Sequence, residues 1–415
     1  MGFLLSFGLV FSLLQVQDPE SLTPVELEKA IDKAITEGAE WLKKQQKEDG
    51  SFGDSSGPTY GGGGNAYHNR PGIAALSLMA LLKSEIPPND PVILKGYNFL
   101  YEYTKNNGNL ISNYDIGVIL MAIETLYESV VKWKLKKKGK KVKERPGDFK
   151  EPKYALSGRD RKLVGNLLKK LYSSQTKDGG WRYGAGFGIV GSDEDISATQ
   201  IMMLGYKSAV RMRVGVDPRS VKRAIDFVIR SQEKDGPKIA RPSDANPSDR
   251  TTYVSMGEDR ARGWAYEKKS DNPEELKVSG SMTSAGITTL LIGRSILGKR
   301  IGKKEQGKIT QCVWDGFAWL SSHWSVSENP EVDRSHYYYL YGVERIAALG
   351  MYEKIGKHYW YKEGAFVLLK QQYSDGHWDT RKEVAPSDIN DTCFALLFLR
   401  RGTVPIGDVM TGRGR

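Results

Sequence analysis

Apolar residues recur at helical spacing along most of the chain, in segments of two alternating kinds. Between Ala30 and Trp41 apolar residues recur every three or four positions, with polar residues between them. The next segment, residues 73–82, is almost wholly apolar. A helix with one apolar face packs at the outside of a protein, whereas one that is apolar all round lies inside. The pattern therefore predicts outer and inner helices that alternate along the chain.

A turn motif, Gln-x-x-Asp-Gly-x-Trp, separates the outer from the inner helix in several pairs. Full copies occur at Gln175–Trp181 and Gln372–Trp378, and Gln46–Phe52 has Phe in place of Trp. Gln232–Gly236 keeps the first half, and its aromatic half follows at Gly263–Tyr266. Asp-Gly favours a tight turn with a positive φ, so the simplest role of the motif is structural.

Six units of two helices result, of which the second is degenerate because Asn107-Gly108-Asn109 replaces its Asp-Gly turn. Six inner and six outer helices in alternation can close into a ring. The sequence therefore predicts an all-α fold, an (α/α)6 toroid over residues 21–402. We expect insertions at residues 132–153 and 237–280 and a flexible tail at residues 403–415.

Composition agrees with one large repeat-built domain. Apolar residues form 39% of the 415 residues, and 9 Trp, 21 Tyr and 12 Phe suffice for a core. The net charge is +11, and Lys132–Lys143 alone holds eight lysines in twelve residues. This run is a solvated loop or a patch that binds an anionic membrane or polymer. No nucleic-acid-binding motif is present, so we expect no nucleic-acid partner.

The chain begins with an apolar run from Phe3 to Leu14 that ends at a polar segment. This run suits the apolar core of a signal peptide, so we expect residues 1–20 to direct export to the periplasm or outside the cell. The alternative is a buried N-terminal helix. The two cysteines, Cys312 and Cys393, lie on an outer and an inner helix in this repeat scheme, so we expect free thiols rather than a disulfide.

The turns resemble the glutamine–tryptophan repeats of squalene–hopene and oxidosqualene cyclases, which also occur in β-subunits of protein prenyltransferases. The segment Asp388-Ile389-Asn390-Asp391-Thr392-Cys393 is similar to the D-x-D-D-T-A acid motif of the triterpene cyclases. The resemblance extends from about Ala30 to Gly402 and implies a toroid with a central cavity. It implies catalytic roles for Asp388 and Asp391 as acids. Asn390 replaces the middle Asp, the proton donor of those cyclases, and could only orient a substrate.

The prenyltransferase resemblance implies a zinc site. Asp391-x-Cys393 has the spacing of two zinc ligands in that family, and His336 stands where a third could lie, at the start of another inner helix. A tetrahedral Zn²⁺ ion with one open position is the functional interpretation. The alternative is a capping Asp, a small buried Cys and a His bonded among tyrosines.

Other candidate binding residues also lie near inner-helix starts. Asp115, Asp195 and Asp391 each precede an apolar segment, which predicts helix N-caps that converge on one mouth of the ring as an acidic rim. We include Asp195 and His336 among the ligand-binding candidates. Tyr337 and Tyr341 share a helix face by their i, i+4 spacing. With Phe394 they could line a cavity for an isoprenoid chain, or they form ordinary core.

Three functions remain open. The first is binding of an isoprenoid or another apolar small molecule in the central cavity. The second is a non-catalytic binding or scaffold role through the toroid mouth and the lysine-rich loop. The third is a zinc-dependent transferase, or a lyase or hydrolase that acts on a polymer. P-loop, dinucleotide-binding, Gly-x-Ser-x-Gly and His-Glu-x-x-His motifs are absent from the sequence, which argues against those chemistries.

Overall fold

The computed structural model describes residues 22–53, 70–108, 111–139, 153–182, 194–239, 259–268, 270–380 and 388–403. Twelve α-helices occur within these ranges. They are α1 (Pro24–Lys44), α2 (Arg70–Lys83), α3 (Pro91–Asn106), α4 (Asn113–Lys137), α5 (Gly158–Ser174), α6 (Ile196–Arg211), α7 (Pro218–Ser231), α8 (Gly280–Leu297), α9 (Lys303–Ser322), α10 (His336–Gly350), α11 (Trp360–Gln371) and α12 (Asp388–Leu399). The predicted signal peptide and all of the predicted tail after Thr403 lie outside the described residues.

The even-numbered helices form a closed inner ring. Each contacts the next, from α2 with α4 through to α10 with α12, and α12 contacts α2 again. The odd-numbered helices pack outside them, and α1 contacts both α11 and α12, so the last unit meets the first. The predicted all-α toroid of six helix pairs is therefore confirmed.

Inner and outer helices differ in burial as their sequences predict. In α6, Val210 is the one residue that is not buried. In the outer helix α7, the buried residues fall on one face, at Ser220, Val221, Ala224, Ile225, Phe227 and Val228. Three outer helices begin with a capping side chain followed by proline, whose missing N–H costs nothing at that position. These pairs are Thr23–Pro24, Asp90–Pro91 and Asp217–Pro218.

The glutamines of the turns join consecutive outer helices. Each donates its side-chain amide to a carbonyl oxygen near its own turn and to another on the following outer helix. The second contacts run from Gln46 to Val92 of α3 (2.9 Å), Gln175 to Ser220 of α7 (3.0 Å), Gln232 to Cys312 of α9 (2.9 Å) and Gln372 to Ala34 of α1 (2.9 Å). We call these four places bridged junctions. The last of them closes the ring.

The tryptophans of the turns fix the inner helix of their own unit. Trp378 is fully buried; its indole N–H donates to the carbonyl of Leu368 on α11 at 2.8 Å, and its backbone N–H to the hydroxyl of Thr392 on α12 at 3.0 Å. Trp181 and Trp264 make the same pair of contacts in units three and four. Trp264 thus acts as the tryptophan of Gln232, as the delayed aromatic half of that unit predicts.

The turn glycines are required by backbone conformation and by space. Gly376 has a φ of +103°, and a Cβ built there would lie 2.6 Å from the carbonyl oxygen of Glu37 on α1. Gly50 and Gly179 also have positive φ and pack against the backbones of α3 and α7. Each of these turns therefore presses directly on the next outer helix.

Two junctions between outer helices have no glutamine bridge among the described residues, namely α3–α5 and α9–α11. A surface cavity of about 420 Å³ lies at the first, lined by residues that include Tyr97, Tyr101, Tyr127 and Arg159. A second cavity, of about 410 Å³, lies between α11 and the segment after α9 and is lined in part by Phe366. These are the open junctions of the ring.

The lysine-rich stretch is not wholly a loop. Helix α4 continues to Lys137, so the predicted insertion at residues 132–153 begins inside a helix, and the prediction of a loop from Lys132 was wrong there. Polar residues can extend a helix beyond the core that started it, and basic ones in its last turn are favoured by the helix dipole. Residues 140–152 lie outside the described ranges. No described helix is long and apolar enough to cross a membrane.

The second predicted insertion, residues 237–280, also holds ordered elements. Strand β1 (Lys238–Ile239) pairs antiparallel with β2 (Asp259–Arg260), and a 3-10 turn covers Pro273–Leu276. Gly280 is already the first residue of α8. Cys312 lies on α9 and Cys393 on α12, and both are buried free thiols, as predicted.

Candidate functional site

The N-termini of all six inner helices lie at one end of the ring because each unit has the same order of outer helix, turn and inner helix. Asp195 caps α6 there, and its carboxylate accepts the backbone N–H of Ala198 at 2.5 Å. The predicted N-cap is therefore present. Burial raises the pKa of Asp195 to about 7, against the opposing effects of the Ala198 amide and the Arg182 guanidinium.

An ion pair lies beside Asp195. Arg182 follows the tryptophan turn of unit three and pairs with Glu267, which is buried. The backbone carbonyl of Arg182 accepts the side-chain amide of Asn113 at 2.8 Å, and Ile196 donates its N–H to Tyr266 at 3.1 Å. These contacts join α4, α6 and the segment before α8 at the mouth.

The other two predicted caps stand inside their helices. Asp115 is the third residue of α4, where it forms a capping box with Ser112, the actual N-cap. Burial raises the pKa of Asp115 to about 6. Asp391 is the fourth residue of α12; it is buried and accepts the backbone N–H of Thr380 at 3.1 Å. Both carboxylates satisfy backbone donors at the mouth, although neither is an N-cap.

The cyclase-like segment forms the first turn of α12. Asp388 accepts the N–H of Ile389 at 2.8 Å, and Asn390 is half-buried. The Thr392 hydroxyl accepts the backbone N–H of Trp378. The catalytic roles that the resemblance implies for Asp388, Asn390 and Asp391 stay predictions. The geometry shows that much of this segment holds the tryptophan turn against α12.

The three predicted zinc ligands are engaged in separate contacts. The Cys393 thiol is buried and donates to Ser77 of α2 at 3.7 Å, and burial raises its pKa to about 12. The ring Nε2 of His336 lies 2.8 Å from the carbonyl oxygen of Val326. Among the described residues, which include Asp391, Cys393 and His336, no three His, Cys, Asp or Glu side chains are grouped to hold a metal ion. The zinc prediction was wrong for these residues, because a thiol inside the α2–α12 interface cannot reach α10.

An aromatic group lies inside the ring between α10 and α12. Phe394 stacks on Tyr341, with ring centroids 5.7 Å apart, and meets Tyr338 edge-on at 5.5 Å. The Tyr338 hydroxyl donates to Gln200 at 2.8 Å and lies 3.1 Å from the hydroxyl of Ser197. Gln200 and Ser197 belong to α6, which α8 separates from α10 in the inner ring. The Tyr338 side chain therefore crosses the interior of the toroid.

The tyrosine that meets Phe394 beside Tyr341 is Tyr338, and the ligand-binding role of Tyr337 stays a prediction. Tyr337 is buried beside His336, with ring centroids 5.1 Å apart, and Tyr338 takes the position next to Phe394. Tyr341 and Phe394 do lie together, as predicted. Tyr338 and Phe394 both keep part of their surface accessible although they pack against the core.

Charged side chains gather at the opposite end, where the inner helices finish. Glu128 of α4 pairs with Lys83 of α2 at 3.1 Å and with Lys132 at 2.8 Å. Arg211 of α6 is buried and pairs with Glu124 and Glu128. Cations near helix C-termini are favoured by the helix dipoles, as carboxylates are at the N-terminal mouth. This end of the ring therefore holds charges of both signs in ion pairs.

Two residues of α10 at this end are fully buried. Glu344 accepts the backbone N–H of Thr403 at 2.9 Å and its hydroxyl at 2.7 Å, and burial raises its pKa to about 7. Thr403 is therefore anchored, although the sequence places it in a flexible tail. The guanidinium carbon of Arg345 lies 4.0 Å from the centre of the Tyr341 ring.

The sequence interpretation missed Tyr338, Gln200 and Arg345. The signal for two of them is present, because Tyr338, Tyr341 and Arg345 follow the i, i+3, i+7 spacing of one helix face. The sequence gives no comparable signal for Gln200, since its role depends on a contact between helices that are not neighbours.

A comparison with protein-family profiles and with curated protein sequences finds no match. Solved structures do match. The type II terpene cyclase MstE from Scytonema, as a variant in complex with its product merosterolic acid A, aligns with a TM-score of 0.51 and 12% identity over 91% of this chain and 99% of that chain. Another variant, in complex with the substrate geranylgeranyl dihydroxybenzoate, gives a TM-score of 0.52 and 10% identity over 91% and 98%.

An α-1,6-mannanase of Salegentibacter, in complex with α-1,6-mannotriose, aligns more weakly, with a TM-score of 0.47 and 10% identity over 90% of this chain and 98% of that chain. The cyclase alignments show that this chain has the α/α-toroid fold of type II terpene cyclases. At such identities the likeness concerns the fold alone.

Proposed function

We propose that the toroid binds an apolar, isoprenoid-like small molecule against the aromatic group of Tyr338, Tyr341 and Phe394. The observation that carries this proposal is the accessible surface of Tyr338 and Phe394 on the inner helices α10 and α12. Aromatic faces in an enclosed site bind apolar chains by burial of apolar area, at roughly 25 cal/mol per Å². The cyclase of the same fold whose complex holds a geranylgeranyl compound supports the choice of an isoprenoid chain.

Cyclisation that depends on the first turn of α12 is not part of this proposal. Asn390 has no acidic proton, and the carboxylate of Asp391 accepts a backbone N–H from Thr380. A chain that binds an isoprenoid without such an acid is a carrier or a sensor of its ligand.

Binding can be measured by titration of the full chain with geranylgeraniol and with squalene, followed by tryptophan fluorescence and calorimetry. We expect saturable binding that Phe394→Ala weakens about tenfold or more. Phe366→Ala, in the surface cavity of α11, is the matched control and leaves the affinity unchanged. Equal losses in the two variants, or no binding by the wild-type chain, would refute the proposal.

Asp195 favours a second candidate function, acid catalysis at the mouth. A buried carboxyl group with a pKa of about 7 is matched to proton transfer at neutral pH. It would donate its proton to an alkene carbon of the ligand, whose π electrons form the new C–H bond. The resulting carbocation would close a ring and then lose a proton to water. Product from wild type that Asp195→Asn abolishes and Asp388→Asn retains would establish this activity; its absence in wild type would exclude it.

Export and contact of Lys132–Lys143 with an anionic surface are further proposals. The apolar run Phe3–Leu14 supports export, and the eight lysines support the surface contact. N-terminal sequencing of protein recovered outside the cytoplasm tests export, and an intact Met1 there would contradict a cleaved signal. Co-sedimentation with phosphatidylserine vesicles at low salt tests the surface contact; no binding would contradict it.

A further inference from the structure

One face of α10 runs along the interior of the ring. Tyr338, Tyr341 and Arg345 are spaced three and four residues apart, so their side chains project in the same general direction. The contact of Tyr338 with Gln200 of α6 shows that this direction is the inside. Seven residues of helix separate Tyr338 from Arg345, which corresponds to about 10 Å along the axis. The aromatic group and the arginine therefore lie at successive depths.

Arg345 is a buried cation whose donors are incompletely used. Its side chain is 1% exposed, and neither Nε nor Nη1 has a hydrogen-bond partner among the described residues. The guanidinium stays protonated in proteins, so it cannot avoid burial of its charge by losing a proton. A buried donor without a partner costs roughly 1–3 kcal/mol, and more when the group is charged. A buried arginine in this state indicates that an acceptor belongs beside it.

The acidic residues at this end of the ring are held by other groups. The two carboxylate oxygens of Glu344 accept the backbone N–H and the hydroxyl of Thr403. Glu124 pairs with Arg211, and Glu128 pairs with Arg211, Lys83 and Lys132. The carboxylates at this end are therefore bound by other groups, and Nε and Nη1 of Arg345 are left for an acceptor from outside the chain. Either N–H group can donate a charge-assisted hydrogen bond to an oxygen of a carboxylate or phosphate.

We propose that Arg345 binds the oxyanion head group of the ligand, a carboxylate or a phosphate monoester. The apolar chain then lies against Tyr341, Phe394 and Tyr338 toward the N-terminal mouth. This proposal deepens the proposed function, on which its account of the apolar chain rests, and it defines the ligand class as amphipathic acids. Tyr341 lies against one face of the guanidinium, and Nε and Nη1 remain available to donate in its plane.

The test compares three probes that share one chain and differ in the head group: geranylgeranoic acid, geranylgeranyl monophosphate and geranylgeraniol. Wild-type full-length protein should bind at least one of the two anions ten times or more tighter than the alcohol, and the tighter anion identifies the head group. Arg345→Met should remove this preference and keep the affinity for the alcohol. Arg294→Met is the matched control, because Arg294 also lies on an inner helix but donates to Thr310 of the outer helix α9. It should keep the preference.

A stability measurement separates ligand binding from a structural role. Without ligand, Arg345→Met should unfold at a temperature no lower than wild type, since methionine removes an incompletely paired buried charge. A large loss of stability would overturn the proposal by showing that the arginine holds the fold. Equal binding of anion and alcohol by wild type, or an unchanged preference in Arg345→Met, would also overturn it.

Inorganic phosphate and acetate separate this proposal from the proposed function. Binding of either that depends on Arg345, without binding of geranylgeraniol, would support the anion site and refute the apolar one. Binding of geranylgeraniol alone would support the apolar site and overturn the anion site. No binding of any probe would overturn both.

Discussion

The bridged junction between α11 and α1 and the open junction between α3 and α5 differ in how one unit holds the next. At the first, Gln372 bonds to α1, Gly376 packs on the α1 backbone, and Trp378 fills the space beneath. At the second, the guanidinium carbon of Arg159 lies 4.0 Å from the centre of the Tyr101 ring beside a cavity of about 420 Å³. At the bridged junction the outer helices are thus joined by a close turn whose glutamine bonds to backbone carbonyl oxygens. At the open junction side chains pack against one another instead.

This difference shows that closure of the inner ring does not depend on the contacts between outer helices. The inner helices contact one another all round the ring, at bridged and open junctions alike. Closure therefore does not require a glutamine bridge at every unit. The bridges instead add stability locally, and the open junctions are the places where the outer layer can vary.

The largest expected difference concerns the tryptophans. Trp378→Ala at the bridged junction should lower the free energy of unfolding by about 3–5 kcal/mol, because a fully buried indole and its hydrogen bond are lost. Trp324→Ala at the open α9–α11 junction should cost about 1–2 kcal/mol, since Trp324 is half-buried and donates to Glu363. Urea denaturation of both variants measures the gap. Equal losses would show that the two junctions are equivalent.

The glycines should differ nearly as much. Gly376→Ala introduces a Cβ at positive φ against the Glu37 carbonyl and should cost about 2–3 kcal/mol. Gly108→Ala, after α3, meets only the end of the flexible Lys170 side chain and should change stability by about 0.5 kcal/mol or less. Thermal unfolding of the two variants decides this, and a destabilised Gly108→Ala would mean that the open junction is also tightly packed.

Buried carboxyls allow a comparison between a unit with a bridged junction and one with an open junction. Glu344 belongs to unit five and has its pKa raised from 4.5 to about 7 by burial. The folded state therefore holds a proton that the unfolded state has lost between these pH values, so stability falls as pH rises from 4.5 to 7 and then levels off. The loss from this group is on the order of 3 kcal/mol.

Glu344→Gln should remove that part of the pH dependence, as seen in denaturation midpoints at pH 5, 6, 7 and 8. Asp195→Asn does the same for the bridged unit three, whose carboxyl also has a pKa of about 7. Similar slopes of stability against pH in the two variants would show that the inner ring sets the cost of burying a carboxyl group. A wild-type profile that rises with pH would contradict the account.

The smallest effect is expected at the first glutamine pair. Gln46→Ala removes the bond to Val92 of α3 and should cost about 1–2 kcal/mol. The adjacent Gln45 bonds only to Trp41 within its own helix, so Gln45→Ala should cost about 0.5 kcal/mol. Chemical denaturation with both variants in one series resolves this difference, and the reverse order would show that the bridge does not stabilise the junction.

The sequence predicted the fold well because each unit carries its own local signals. Apolar spacing distinguishes inner from outer helices, and Asp-Gly followed by Trp marks the turn between them. Even the delayed Trp264 was assigned to its unit. Helix ends were less certain: Asp115 and Asp391 stand inside their helices because a polar residue before an apolar run suits the cap and the first turn equally.

The site was harder to predict because it depends on which helices face one another across the ring. Spacing along α10 cannot show that Tyr338, and not Tyr337, meets Phe394 of α12. The zinc prediction had the same weakness. The resemblance supplied the residue types, but in the packed ring the Cys393 thiol contacts Ser77 of α2. Contacts between distant segments are fixed by the closed ring, and no local pattern encodes them.

The closing bond from Gln372 to Ala34 joins residues 338 positions apart in the chain. During synthesis, the first five units are therefore complete long before the surface that must cover α1 and α2 exists. A nascent chain that stops before α12 leaves those apolar helix faces exposed to water and to other chains. Final folding must wait for the C-terminal unit to leave the ribosome, so a small C-terminal deletion should cause aggregation of the whole protein rather than loss of one repeat.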